Sequence, residues 1–167
     1  MTSRLLSLGT LALALLVTAC GGAATLDEKI DALQASYDGG SYEQVVADAP
    51  ALATEAGDDA AKAWKVEKLH LLALGRLGRG ADAAGTLERL DGAFPGKVKA
   101  NLYGQVGGFV VDAGNALEAI DVLDAGAKKY PEMADAVFKP YIEQCKEMAT
   151  SAGDSEALAK LKSLGYL

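Results

Sequence analysis

The fold is decided by a stretch that occurs twice: GRGADAAGTLERLDGAFP at residues 78–95 and GNALEAIDVLDAGAKKYP at residues 114–131. The copies start 36 residues apart and keep a glycine, an acidic residue, an alanine, a leucine and an aromatic–proline pair in the same order. The corresponding residues are Gly78 and Gly114, Asp82 and Glu118, Ala83 and Ala119, Leu87 and Leu123, then Phe94-Pro95 and Tyr130-Pro131. A fixed period of this size is typical of proteins built from stacked repeats.

Two poorer copies flank this pair. GSYEQVV begins at Gly40, 38 residues before Gly78, and GDSEALAKL begins at Gly153, 39 residues after Gly114. The sequence therefore predicts three to four units, of which the middle two match each other best.

Each unit is predicted to be a helix hairpin. Apolar residues recur with helical spacing at Trp64, Leu71, Leu74 and Leu77, which predicts a first helix. Gly78 or Gly80 would end that helix, and a second amphipathic helix would end before Pro95. A single hairpin cannot bury its apolar face, so neighbouring hairpins must stack around a continuous core.

The pattern resembles the tetratricopeptide repeat (TPR), in which a turn glycine is followed by an aromatic residue, an alanine, a large residue and a closing proline. The matching positions are Gly40, Tyr42 and Val45, then Gly78, Ala83, Leu87 and Pro95, and then Gly114, Ala119, Leu123 and Pro131. The resemblance implies an all-α fold of antiparallel helix hairpins, stacked as a short right-handed superhelix over residues 26–167. The family's small residue early in the first helix appears only as Gly107, its later alanine is replaced by Leu90 and Gly126, and the spacing differs from the usual period of about 34 residues. An unrelated antiparallel helical array remains the alternative.

The N-terminus carries a different signal. Residues 5–17 are an apolar run of 13 residues after one positive charge at Arg4, too short for the roughly 20 residues that span a bilayer. The sequence VTAC at residues 17–20 resembles the bacterial lipobox. This resemblance implies a signal peptide at residues 1–19 and a diacylglycerol on Cys20, with residues 20–25 as a short tether. An ordinary signal peptide with a chance cysteine is the alternative.

The lipobox resemblance also indicates a location. Gly21 follows the cysteine, where many Gram-negative lipoproteins kept in the inner membrane have aspartate. We therefore expect a lipid-anchored protein at the periplasmic face of the bacterial outer membrane, or at the cell membrane of a Gram-positive source.

Composition and charge are consistent with one folded domain and argue against nucleic acid binding. The chain has 167 residues, 50% of them hydrophobic, which is enough for one folded domain. Its net charge is −7, and removal of residues 1–19 would take away Arg4 and leave −8. Nucleic acid binding needs a basic face, so it is not expected.

Catalytic residues are not predicted either. His70 is the one histidine, and its register in the repeat is that of a packing position. The sequence shows no nucleophile motif and no nucleotide-binding glycine pattern, so we predict no catalytic residue, metal or cofactor. Cys145 is predicted to be a buried hydrophobe, with an intermolecular disulfide or a reactive thiol as the alternative.

Local signals predict helix ends and irregularities. Thr25 with Glu28, and Ser41 with Gln44, have capping-box spacing and would begin helices near Leu26 and Tyr42. Pro131 would open a helix, and Pro50 and Pro140 should each disturb one. Ser155 to Leu164 is predicted to be a final amphipathic helix that caps the stack.

The TPR resemblance also implies a binding groove, lined by the first helix of each hairpin and suited to a peptide or helix of a partner protein. The matching positions are Lys65, Lys68, Leu72, Arg76, Asn101, Gly104, Gly108 and Asp112. The three cations favour an acidic partner segment, and the two glycines would leave room for its backbone. The alternative is a solvated outer face.

We therefore expect a non-enzymatic, membrane-anchored scaffold or assembly factor of the bacterial cell envelope. An accessory or regulatory subunit of a periplasmic cell-wall enzyme is the second hypothesis, and an enzyme with an unfamiliar site is the third.

Overall fold

The computed structural model describes residues 23–167, so Cys20 and the predicted signal peptide lie outside the described residues. Residues 23–167 form eight α-helices and no strand. They are α1 (Leu26–Asp38), α2 (Tyr42–Ala56), α3 (Ala60–Arg76), α4 (Gly80–Ala93), α5 (Ala100–Asp112), α6 (Ala116–Lys129), α7 (Lys139–Ala152) and α8 (Ser155–Ser163). A 3-10 turn at Pro131–Met133 and a π-helical turn at Ala134–Phe138 precede α7. The all-α prediction is confirmed.

Glycine turns join the helices in pairs: α1 to α2, α3 to α4, α5 to α6 and α7 to α8. Gly40, Gly78, Gly114 and Gly153 have φ values of 78°, 70°, 87° and 67°. At each turn the glycine N–H donates to the carbonyl three residues back, and the next N–H donates to the carbonyl five residues back. Glycine adopts this left-handed conformation without steric cost. The four glycines found in the sequence thus end four helices in the same way.

Successive hairpins pack against each other. The first helices form one series of contacts, α1 with α3, α3 with α5 and α5 with α7. Among the second helices, α4 contacts α6 and α6 contacts α8. Neighbouring hairpins are therefore stacked in chain order.

The hydrophobic core has two parts that share α3. The smaller cluster joins α1 and α2 to Val66, Leu69 and Ala73 of α3. The larger cluster begins at Leu71, Leu72 and Leu74 and continues to α8. The repeat positions Ala83, Ala119, Leu87 and Leu123 are all fully buried. Helix α3 is therefore apolar on two sides because it packs against hairpins in both directions.

The two predicted capping boxes have different outcomes. The Thr25 hydroxyl accepts from the Glu28 N–H at 3.3 Å, and Glu28 Oε2 accepts from the Thr25 N–H at 2.7 Å. Helix α2 begins at Tyr42 as predicted, but the Ser41 side chain makes no capping hydrogen bond. Gln44 donates instead to Asp48 Oδ2 at 2.7 Å. The second capping box was wrong because the glutamine side chain bonds one turn forward.

The prolines also differ. Helix α2 runs through the exposed Pro50 without a break, so the proline does not end this helix. Pro131 opens the 3-10 turn rather than an α-helix.

Before Pro140, the Lys139 N–H donates to the Ala134 carbonyl five residues back, which is the hydrogen-bond spacing of a π-turn. The irregularity predicted at Pro140 is confirmed, and the proline itself lies in the first turn of α7, where no intrahelical donor is needed.

The chain ends in a short helix, as predicted. Helix α8 covers Ser155–Ser163, and the Asp154 side chain accepts from the N–H groups of Glu156 and Ala157. Ala157 and Leu161 are fully buried against the larger cluster. The last helix thus covers the end of the core.

Candidate functional site

The predicted groove residues lie on α3 and α5, which contact each other. Lys65, Lys68 and Arg76 are exposed on α3. Leu72 is only 7% exposed and belongs to the larger hydrophobic cluster, so its assignment as a partner-binding residue is corrected. The physical reason is that α3 is packed on two sides, which leaves a narrow exposed face.

Lys65 is engaged by a neighbouring helix. Its Nζ lies 3.1 Å from Asp31 Oδ1 of α1, and Lys62 Nζ lies 2.7 Å from Asp27 Oδ1. Two exposed ion pairs thus join α1 to α3. Sequence reasoning missed them, although the separation of Asp31 and Lys65, 34 residues, is close to one repeat.

Arg76 has an aromatic partner. The Arg76 guanidinium carbon lies 3.5 Å from the centre of the Phe109 ring on α5. The two helices are close here, since a Cβ on Gly75 would lie 3.3 Å from Phe109 Cβ. A guanidinium flat on a ring keeps its N–H edges available for hydrogen bonds. Sequence reasoning did not single out Phe109, and its only signal was an aromatic residue next to three glycines.

The four predicted residues of α5 line one open concavity. Asn101, Gly104, Gly108 and Asp112 border a space of about 330 Å³ between α5, the π-turn and α7. The other lining residues are Gln105, Phe109, Ala136, Val137 and Tyr141. None of the four predicted residues of α3 lines it; these are Lys65, Lys68, Leu72 and Arg76. The structure therefore brings the predicted α5 residues together beside Phe109, and Arg76 approaches the concavity only through its contact with that ring.

The two glycines do not leave room for a partner backbone. A Cβ on Gly104 would lie 2.6 Å from Val137 Cγ1, and one on Gly108 would lie 2.7 Å from Tyr141 Cε1. The space is already filled by these two side chains, so that interpretation was wrong. The glycines instead allow α5 to pack closely against the π-turn and α7.

A polar cluster lies between α2, α3 and α4. Arg89 donates two hydrogen bonds to the Glu67 carboxylate, at 2.7 and 2.6 Å, and His70 Nδ1 lies 3.9 Å from Glu67 Oε2. Burial alone would raise the pKa of Glu67, but the neighbouring His70 and Arg89 side chains outweigh it and lower the pKa to about 2. The Arg89 contacts are short enough for hydrogen bonds, whereas the His70 contact is not. These residues border a cavity of about 410 Å³ with Pro50, Ala53 and Thr54. His70 is thus partly buried at the edge of a charged pair.

Cys145 of α7 lies in the larger hydrophobic cluster. It is fully buried, and burial raises the pKa of its thiol to about 11. The prediction of a buried small hydrophobe is confirmed. Its proton is retained at neutral pH, so the thiol is a poor nucleophile.

Residues 23–167 contain neither a candidate metal site nor a membrane-spanning helix. This part of the chain contains no group of three or more histidine, cysteine or acidic side chains placed to hold a metal ion. None of its helices is both long and apolar enough to cross a bilayer. Comparison of the chain with protein-family models, with curated proteins and with solved structures found no match.

Proposed function

We propose that this protein is a membrane-anchored scaffold or assembly factor of the bacterial cell envelope, which binds a peptide or helix of a partner protein at the periplasmic face. The observation that carries the proposal is the series of first helices, α1, α3, α5 and α7, which contact each other in chain order. Exposed polar side chains lie along α3 and α5, and those of α5 border an open concavity. Such stacked hairpins offer an extended surface for a polypeptide.

The finer fold is part of the proposal. The hairpins would form a short right-handed TPR-like superhelix of three to four repeats. The shared geometry of the four glycine turns supports four hairpins, and the burial of Ala83, Ala119, Leu87 and Leu123 agrees with their roles in the TPR pattern.

The anchor is proposed from the lipobox resemblance. Cleavage after residue 19 would leave Cys20 as a diacylated N-terminus, joined to the domain by residues 20–25. Helix α1 begins at Leu26, and a glycine-rich coil of a few residues reaches only about 10–12 Å. The binding surface would therefore stay close to the membrane.

Capture from detergent-solubilised envelope tests the binding surface. Gln105 is exposed and lines the concavity, so Gln105→Trp should fill it, whereas Glu88→Trp places the same side chain on the exposed surface of α4. We expect one protein to co-purify with the native chain and with Glu88→Trp, and to be lost with Gln105→Trp. Equal recovery by all three would contradict binding at this concavity. Capture of a cell-wall enzyme would favour the accessory-subunit hypothesis.

The anchor has a test of its own. Mass spectrometry of the N-terminal peptide should find a diacylglycerol on Cys20 and no residues 1–19. Cys20→Ser should abolish both the lipid and the cleavage. A full-length, unmodified chain purified from its own envelope would refute the proposed anchor.

A further inference from the structure

Ion pairs neutralise some of the positive charges on the exposed face of α3 but not all of them. Residues 23–167 contain 15 lysines and arginines, and ten of them lie within ion-pairing distance of a carboxylate in that part of the chain. Lys68 and Arg76 are not among the ten, whereas Lys65 is. Most cations in this part of an acidic protein are therefore paired, whereas Lys68 and Arg76 on the exposed face of α3 are not.

The Lys65–Asp31 pair is a poor attractor for an acidic ligand. The two side chains are 48% and 76% exposed, so the pair adds little stability, but its net charge is zero. A ligand carboxylate at Lys65 would also meet Asp31. The field that attracts an anion to this face must come from Lys68 and Arg76.

Arg76 is the better oriented of these two cations. Its guanidinium is held over the Phe109 ring, so fewer rotamers are lost when its N–H groups bind a carboxylate. Phe109 also lines the concavity of about 330 Å³, which the side chains of Val137 and Tyr141 help to enclose. One aromatic ring thus connects an oriented cation to a partly apolar hollow.

We propose that Arg76 receives the carboxylate of an acidic side chain in a partner protein segment, and that the concavity beside Phe109 takes the apolar side chain next to it. This inference rests on the proposed function and names the chemistry of the partner. Asp112 lines the same concavity, and its carboxylate would repel a second acid. The recognised feature is one acidic residue beside an apolar residue, not a run of acids.

Two labelled peptides test this chemistry. Fluorescein-labelled six-residue peptide amides with Glu-Leu or Gln-Leu at the centre are titrated by fluorescence anisotropy against the purified full chain in detergent micelles. Protein-free micelles correct for partition of the peptides. We expect the Glu-Leu peptide to bind about tenfold more tightly than the Gln-Leu peptide, the preference typical of one charge-assisted hydrogen bond.

Variants assign the preference to a residue. Arg76→Gln should abolish the difference between the peptides, and Arg76→Lys should restore only part of it because lysine lacks the planar fork. Lys65→Gln should reduce the preference for the Glu-Leu peptide by less than about threefold. Lys162 is exposed on the surface of α8, and Lys162→Gln is the matched control for loss of one positive charge. The urea midpoint of each variant checks that it is folded.

Several results would overturn the inference. The first is equal affinity for the two peptides, and the second is no binding of either peptide at about 5 mM. The third is an equal loss of the preference for the Glu-Leu peptide with Lys65→Gln and with Arg76→Gln. Envelope capture separates this failure from failure of the proposed function. If Arg76→Gln captures as much partner as the native chain, the inference is refuted but the proposed scaffold function is not. If no chain captures a partner, the proposed function itself is refuted.

Discussion

The contact between α4 and α6 is tight, whereas α2 and α4 are separated by a cavity, although both pairs are second helices of successive hairpins. A Cβ on Gly80 would lie 2.7 Å from Glu118 Cβ and carbonyl O, and Glu118 Oε2 accepts from the Ala81 N–H at 2.9 Å. Asn115 Nδ2 donates to the Gly78 carbonyl at 3.0 Å. Between α2 and α4 there is instead a cavity of about 410 Å³, bordered by the Glu67–Arg89 pair.

The difference shows that a repeat period does not determine how closely hairpins approach. Helix α4 has Gly80 two residues after its turn glycine, and α2 has Tyr42 at the same register position. A glycine allows backbone to touch a neighbouring helix, while a tyrosine ring does not. Tyr42 packs instead against Tyr37 of its own hairpin, with ring centres 5.4 Å apart.

Thiol labelling should show the largest difference, between a position in the continuous core and a position at the cavity. Cys145 is fully buried in the continuous core with a raised thiol pKa of about 11, whereas Ala53 lines the cavity. At about pH 8 we expect iodoacetamide to label an Ala53→Cys variant at least about a hundredfold faster than Cys145. Peptide mass mapping measures both rates, and both sites should react alike in urea. Rapid labelling of native Cys145 would contradict the packing described for α7.

Substitution of Gly80 should break the tight contact. Gly80→Ala places a Cβ against Glu118 backbone, so we expect a loss of about 2–3 kcal/mol in the free energy of unfolding, measured in urea. Gly85 in the same helix is exposed and has no atom within 4 Å of an added Cβ. Gly85→Ala should therefore stabilise the protein by about 0.5–1 kcal/mol through helix propensity. Equal effects at both positions would mean that α4 and α6 do not touch.

The charged pair beside the cavity should make stability depend on pH. The folded-state pKa of Glu67 is lowered from 4.5 to about 2, so its stabilisation is present above about pH 4.5 and is lost as the pH falls towards 2. Glu67→Gln should cost about 1–2 kcal/mol near pH 7 and almost nothing near pH 2.

A matched control for this titration lies on α4. Glu88 is exposed, and Glu88→Gln should change the free energy of unfolding by less than about 0.5 kcal/mol at either pH. Urea unfolding curves at several pH values measure both variants. A cost of Glu67→Gln that does not vary with pH would refute the assignment of the lowered pKa to this ion pair.

Filling the cavity should have the smallest effect. Ala53 is partly buried at its edge, and Ala53→Leu should raise the free energy of unfolding by about 0.5–1 kcal/mol, because apolar surface is buried without a clash. Ala49 of the same helix is 1% exposed, and Ala49→Leu should destabilise by about 1–3 kcal/mol through overpacking. Destabilisation by both changes would show that the cavity is not available to a larger side chain.

The candidate site was predictable only in part. The sequence placed Asn101, Gly104, Gly108 and Asp112 on one helix face, because residues three or four apart share a face, and they do line one concavity. It did not predict that Val137 and Tyr141 occupy the space beside the glycines, or that Phe109 lies under Arg76. These contacts join residues far apart in the chain, and helical spacing carries no information about them.

By itself the sequence determined the all-α class, the four glycine turns, the Thr25 capping box and the burial of Cys145. These features depend on backbone conformation, on hydrogen bonds within a few residues and on the apolar pattern of each helix. Only the tertiary structure decided that Leu72 belongs to the core, that Asp31 neutralises Lys65 and that α4 touches α6 while α2 stands apart from α4. The physical reason is that such contacts depend on side-chain volume and charge across helices, which a one-dimensional period does not specify.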